Sequence, residues 1–215
     1  MISDDMKQYN YNLTKWDSYF YDICKIVARG SSCLSKKIGA ILVRDKSIIS
    51  TGYNGPPRGV PHCDARYTID KKMRDYLESQ NIDPDDINNK LICPRYLMGY
   101  KSGEGLEWCI AGHAERNTLI NAARNGIKTK GCKVYMDCGV PCTPCLVELI
   151  NAGIEEIVIS KMEFYDTSAK YLLEQSTLKV RLYHHFCEHK NLLPKSILKN
   201  KEENFCSDCG MYMGI

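Results

Sequence analysis

No stretch of the 215 residues approaches the roughly 20 consecutive apolar residues that a membrane-crossing helix needs, so no bilayer span is expected. The opening residues, MISDDMKQYN, are polar and acidic and do not read as a secretory leader. Charge of one sign is scarce too: 29 Lys and Arg stand against 26 Asp and Glu, a net +3. That is too small an imbalance to coat nucleic acid, whose binders concentrate basic charge on one face. Lys190, Lys195, Lys199 and Lys201 give the end of the chain a basic flavour that a solvated helix face would explain. Internal repeats and low-complexity tracts are missing. With 44% hydrophobic and 26% charged residues, the chain reads as an ordinary soluble domain with some additions. A cytoplasmic location is expected.

Cysteine is what the chain has in plenty, 12 residues in all. Nothing points to export, and reducing compartments keep thiols free. Several of these cysteines are spaced as metal ligands are. The composition therefore favours metal sites over disulfides.

Apolar spacing in WDSYFYDICKIVARGSS predicts a helix over 15–29 that stops at Gly30. IGAILVRDKSIISTGYNG reads as a β-hairpin turning at Arg44–Lys46. Residues 55–110, rich in proline and carrying the acidic run DPDD, break this rhythm. They are expected to form an insertion with one short helix around 68–80 and no separate core. Regularity returns at His113. HAERNTLINAARNG reads as a helix closed by Gly126, CKVYMDC as a strand, and CTPCLVELINAGI as a helix closed by Gly153. EEIVIS, TSAKYLLEQS and LKVRLY follow as strand, helix and strand. Strands alternating with helices argue for an α/β sandwich with helices on the sheet faces. Residues 1–185 are expected to form the main domain, and 186–215 a Cys/His-containing appendage.

The chemistry concentrates in GHAERN, 112–117, and PCTPC, 141–145. Cys142 and Cys145 are three apart at a helix start, so both sulfurs can lie on one face of its first turn. Free backbone N–H groups and the positive dipole end favour thiolate there. Pro144 falls in the first turn, where its missing N–H costs little. His113 likewise opens a helix. Two thiolates and a neutral imidazole make three zinc ligands and leave a fourth position for water, the arrangement of a catalytic rather than a structural site. Glu115, two residues beyond the histidine, is placed to carry protons between that water and a leaving nitrogen. Taken singly, each residue has an ordinary explanation: a core histidine, a solvated glutamate, a redox dithiol. Together they match the H-x-E…P-C-x-x-C pattern of zinc-dependent nucleobase deaminases.

Over roughly residues 15–185 the chain resembles the deoxycytidylate (dCMP) deaminases, within the cytidine-deaminase-like superfamily. STGYNGPPRG (50–59), SKKIGAILV and FYDTSA (164–169) carry the resemblance beyond the zinc motif. It implies a three-layer αβα sandwich around a central mixed five-stranded sheet. It also implies hydrolytic deamination of dCMP to dUMP, with one catalytic Zn2+ on His113, Cys142 and Cys145 and Glu115 as the proton carrier. Asn54 matches the residue that hydrogen-bonds the sugar hydroxyl, as an amide with both donor and acceptor can. Tyr165 matches an aromatic that packs on the pyrimidine, and the backbone near Ala114 and Pro141 should contact the base. Ser35 and Lys37, with Ser31 and Lys36, lie where the family's phosphate-contacting loop runs; Arg58 and Arg124 are further phosphate candidates. The Arg124 position lies at or near a subunit interface in related viral enzymes. The resemblance further implies a homo-oligomer, often a hexamer, with dCTP and dTTP as effectors near Gly52–Gly55. A membrane or nucleic-acid partner is not expected.

Cys33, Cys63, Cys93 and Cys109, with His62 nearby, could hold a structural zinc that staples the insertion, as in some dCMP deaminases; otherwise they are free, buried thiols. In the appendage, Cys187, His189, Cys206 and Cys209 approach zinc-ribbon spacing, and a short segment without an apolar core needs such a staple. Two competing functions stay open. One is a related deaminase of nucleosides, modified dCMP or tRNA adenosine. The other is a non-catalytic zinc-binding interaction module, which would not need a vacant coordination position beside a glutamate.

Overall fold

Apolar side chains at positions 20, 24 and 28 give KWDSYFYDICKIVA one buried stripe, and it forms helix α1, Lys15–Ala28. The computed structural model describes residues 15–86, 91–101, 103–164 and 166–183. After α1 come strands β1, Gly39–Arg44, and β2, Ser47–Tyr53, paired antiparallel. Asp45 and Lys46 join them, both at positive φ (49° and 59°), the backbone of a tight hairpin turn whose twist matches the strands.

Helix α5, Ala114–Arg124, precedes β3, Lys133–Met136; helix α6, Thr143–Asn151, precedes β4, Glu156–Ile159; helix α7, Thr167–Gln175, precedes β5, Lys179–Leu182. The sheet order is β2-β1-β3-β4-β5. β1 runs antiparallel to β2 and β3, while β3, β4 and β5 are parallel, so the sheet is mixed and five-stranded as expected. The expected helix stops are present: Gly126 and Gly153 follow α5 and α6 at φ 64° and 71°, where a side chain would be strained.

Strand alternation separates two cores. Ala40, Leu42, Val134, Met136, Ile157 and Ile159 face α5, α6 and α7. Ile41, Val43, Tyr135 and Val158 face Phe20 and Cys24 of α1. With both faces covered, β1 reads as a continuous apolar run rather than an alternating one. Across the α1 face runs a buried ionic chain. Arg181 donates to both oxygens of Asp17 at 2.9 Å and to Glu156 at 2.9 Å, and the Tyr135 hydroxyl donates to Asp17 at 2.8 Å.

The insertion differs from expectation. Among its described residues are three helices, α2 (Cys63–Ile69), α3 (Lys71–Ser79) and α4 (Pro94–Leu97), with a 3-10 turn at Leu106–Trp108. It also has a core of its own: Tyr67, Met73 and Leu77 are fully buried, with Tyr76, Leu97 and Trp108 packed on them. Asp70 ends α2, caps α3 through the N–H of Lys72, and takes two hydrogen bonds from Arg66. Arg66 also donates to the Trp108 carbonyl at 2.7 Å, tying both ends of the insertion together. Polar anchors do here what a longer apolar run would do elsewhere, which is why periodicity alone missed this core.

Candidate metal and active site

His113 stands at the N-cap of α5 and Cys142 at the N-cap of α6, with Cys145 in the first turn of α6. Strands β1 and β3 are neighbours, so the helices that follow the β2 loop and β3 start side by side on one sheet face. His113 Nδ1 lies 3.4 Å from the Cys142 sulfur and 3.3 Å from the Cys145 sulfur, and the sulfurs are 3.3 Å apart. Among the described residues, these three form the one group of His, Cys, Asp or Glu donors gathered within 4.8 Å of one another. Glu115 Oε1 is 3.7 Å from His113 Nδ1, with a side chain 5% exposed against 45% for His113. Two soft sulfurs and an imidazole within reach of one point match what zinc requires, and a buried acid stands beside them.

The group competes for protons. Hydrogen bonding to Cys142 and Glu115 raises the His113 pKa to about 10. The neighbouring Cys145 thiol and then His113 hold Cys142 down at about 5, while hydrogen bonding to Cys142 and burial raise Cys145. Arg116 joins Glu148 at 2.9 and 2.8 Å, bolting α5 to α6 near the ligands.

Gly55 and Gly112 exchange backbone hydrogen bonds of 3.1 and 2.8 Å, stitching the segment after β2 to the approach to His113. Asn54 is buried, and its side chain holds up the 31–38 loop. Its Oδ1 accepts from Ser31 Oγ (2.9 Å) and Ile38 N (2.8 Å), and its Nδ2 donates to the Lys36 carbonyl (2.7 Å). Among the described residues Nδ2 makes this one bond, and an amide nitrogen can donate two. That loop carries Ser35, which donates to the Tyr96 hydroxyl at 2.7 Å, and the exposed Lys36 and Lys37. Ala114 and Pro141 are buried beside the metal ligands. Arg58 and Arg124 border a separate open cleft of ≈ 530 Å³ with Ser50, Thr51 and Asn121, which none of the metal donors touches.

Cys33, Cys63, Cys93 and Cys109 all border one small cavity of ≈ 20 Å³. Burial raises the Cys63 pKa; Arg66 opposes this, and Cys93 and Cys109 add to it. Among the described residues no three of these sulfurs come within 4.8 Å of one another. Tyr165 and the appendage set Cys187, His189, Cys206 and Cys209 lie outside the described residues. Sequence reasoning assigned nothing to Asp166, which accepts hydrogen bonds from Thr143 N (3.1 Å), Thr143 Oγ1 and Ala169 N (2.7 Å). Its place just before the helical TSAKYLLEQ, as an aspartate N-cap, was the available signal.

A two-thiol, one-imidazole centre opening at two helix N-termini beside a mixed sheet defines a class of zinc-binding α/β proteins. Within it, residues 14–161 match the model of the cytidine and deoxycytidylate deaminase zinc-binding region, and the chain belongs to that family. The deoxycytidylate deaminase of Mycobacterium phage D29 is 30% identical over 151 residues, covering 68% of this chain and 94% of that protein. The deoxycytidylate deaminase of Schizosaccharomyces pombe is 30% identical over 168 residues, covering 78% of this chain. The chain spans 44% of that protein's length and 45% of its Saccharomyces cerevisiae counterpart's. A crystal structure of dCMP deaminase from the cyanophage S-TIM5 in complex with dCMP and dUMP shares the fold, with a TM-score of 0.54 at 20% identity. It covers 80% of this chain and all of that one. Among the described residues, no helix is long and apolar enough to cross a membrane.

Proposed function

We propose that the chain catalyses hydrolytic deamination of dCMP to dUMP and ammonia in the cytoplasm. The observation that carries this reading is the buried Glu115 carboxylate 3.7 Å from His113 Nδ1, next to the sulfurs of Cys142 and Cys145. His113, Cys142 and Cys145 would hold the zinc, which when bound supplies Lewis acidity that brings the pKa of water to about 7. Glu115 takes a proton from the attacking water as oxygen bonds to C4. It delivers that proton to N3, then takes the proton of the new C4 hydroxyl and passes it to the departing nitrogen, so that the C4–N bond breaks, the C4 carbonyl forms and ammonia leaves.

Asn54 would give its remaining N–H to the sugar, Ala114 and Pro141 would border the base, and Tyr165 would stack on it. Ser35 and Lys37 would reach the phosphate. The deoxycytidylate deaminases among the relatives support this substrate over tRNA, as does the weak net charge of +3. We also propose a homo-oligomer responding to dCTP and dTTP. Structural zinc at Cys33, Cys63, Cys93 and Cys109 rests on their shared cavity and would require the sulfurs to draw closer together than they lie in the structure. Zinc at Cys187, His189, Cys206 and Cys209 rests on their spacing.

The test is a spectrophotometric panel of dCMP, deoxycytidine, methylated dCMP and a tRNA anticodon stem, each with and without dCTP. Turnover of dCMP well above the others is expected. Activity on deoxycytidine alone would overturn the substrate, and full zinc occupancy with no deamination would favour a non-catalytic module.

A further inference from the structure

An α-helix leaves its first N–H groups without partners, and the N-cap side chain normally supplies one. Helix α6 cannot use its own N-cap. Cys142 makes no capping bond, because its sulfur faces His113 and Cys145. The cap comes instead from the loop that follows β4. Thr143 N donates to Asp166 Oδ2 at 3.1 Å, and the Thr143 hydroxyl donates to Oδ1. The same Oδ1 accepts from Ala169 N at 2.7 Å and closes α7. One carboxylate therefore serves two helix N-termini, each of whose dipoles favours an anion. The surrounding loops are sewn together as well: Ser160 N donates to the Cys138 carbonyl and Val140 N to the Glu163 carbonyl.

We propose that Asp166 is a positioning residue for the metal centre, locking the turn that bears Cys142 and Cys145 onto the loop and helix that follow β4. Thr143 sits between the two cysteines in the chain, so wherever Asp166 holds Thr143, the sulfurs follow. Partners one step removed from a metal fix the geometry of its ligands, and their loss typically costs about 10- to 100-fold in affinity or activity. The inference rests on the proposed metal centre and is independent of which nucleotide is turned over.

The test uses full-length Asp166→Ala and Asp166→Asn, with zinc affinity read by competition against a chromophoric chelator and the melting temperature read on metal-stripped protein. Asparagine keeps an oxygen for Ala169 N but turns an NH2 toward Thr143 N. It should therefore melt closer to the parent than the alanine variant does, yet bind zinc about 10- to 100-fold more weakly. Parent-level zinc affinity in Asp166→Asn overturns the proposal, and if Asp166→Ala does not fold, the asparagine variant decides alone. Should the parent protein deaminate no dCMP, the substrate reading falls while the chelator result still judges Asp166.

Discussion

Glu115 is a buried acid whose position, two residues past His113 on the first turn of α5, follows from local sequence alone. Replacing it by glutamine keeps its volume and its hydrogen-bonding reach but removes proton transfer. Glu115→Gln should retain the parent's zinc content by atomic absorption and lose about 10²–10⁴-fold in kcat, the usual worth of a positioned acid-base group. Retained turnover would remove Glu115 from the mechanism. The three donors were legible for the same reason: cysteines three apart at a helix start must share a face. Asn54 was legible only as a candidate. Its burial and its hold on Ser31, Lys36 and Ile38 arise from a loop folding back across it, which no local pattern announces.

At the scale of elements, β2 and α5 touch so closely that Gly52 tolerates no side chain. A Cβ there would lie 2.3 Å from Thr118 N and 2.6 Å from the Ala114 carbonyl oxygen. Both contacts are helix backbone, so relief requires α5 to move, and α5 carries His113 and Glu115 at its start. Gly52→Ala should destabilise the protein by about 1–3 kcal/mol, as overpacking does, measured by urea denaturation. It should lower kcat as well; unchanged stability would mean that β2 and α5 can separate freely. In the sequence this glycine is one residue of STGYNG, indistinguishable from a turn glycine. The insertion shows the opposite difficulty: the helix expected around 68–80 answers to α3 alone, while α2 ahead of it, ended by the same Asp70 that caps α3, went unread because CDARYTI carries no long apolar pattern.

The whole molecule is braced by the Asp17–Arg181–Glu156 chain, which links α1 to β5 and β4 beneath the second core. Burial works to raise the Glu156 pKa, but hydrogen bonds from Arg181 and Lys133 outweigh it and hold the pKa below the ordinary carboxylate value. A carboxylate with a depressed folded-state pKa contributes stability that is present above its unfolded value and lost as pH falls through the folded one. Melting temperature should therefore decline on acidification below the ordinary carboxylate range. Arg181→Met removes the guanidinium shared by two buried carboxylates, leaving Asp17 the Tyr135 hydroxyl and Glu156 the Lys133 ammonium, and should cost about 3–5 kcal/mol near neutrality. The gap to the parent should narrow as acid neutralises them. A gap that is constant with pH would show that the chain contributes packing and not charge.

The sequence by itself determined the donor set, the helix starts that present it and the alternation of strands and helices, because each depends on neighbours within a few positions along the chain. Only the tertiary structure decided that Asp166 caps the helix of Cys142, that Arg181 reaches Asp17, and that the insertion closes its own core on Trp108. Those pairings join segments far apart in the chain. Their energy comes from burial and from satisfying polar groups removed from water, and neither leaves a periodic trace in the order of residues.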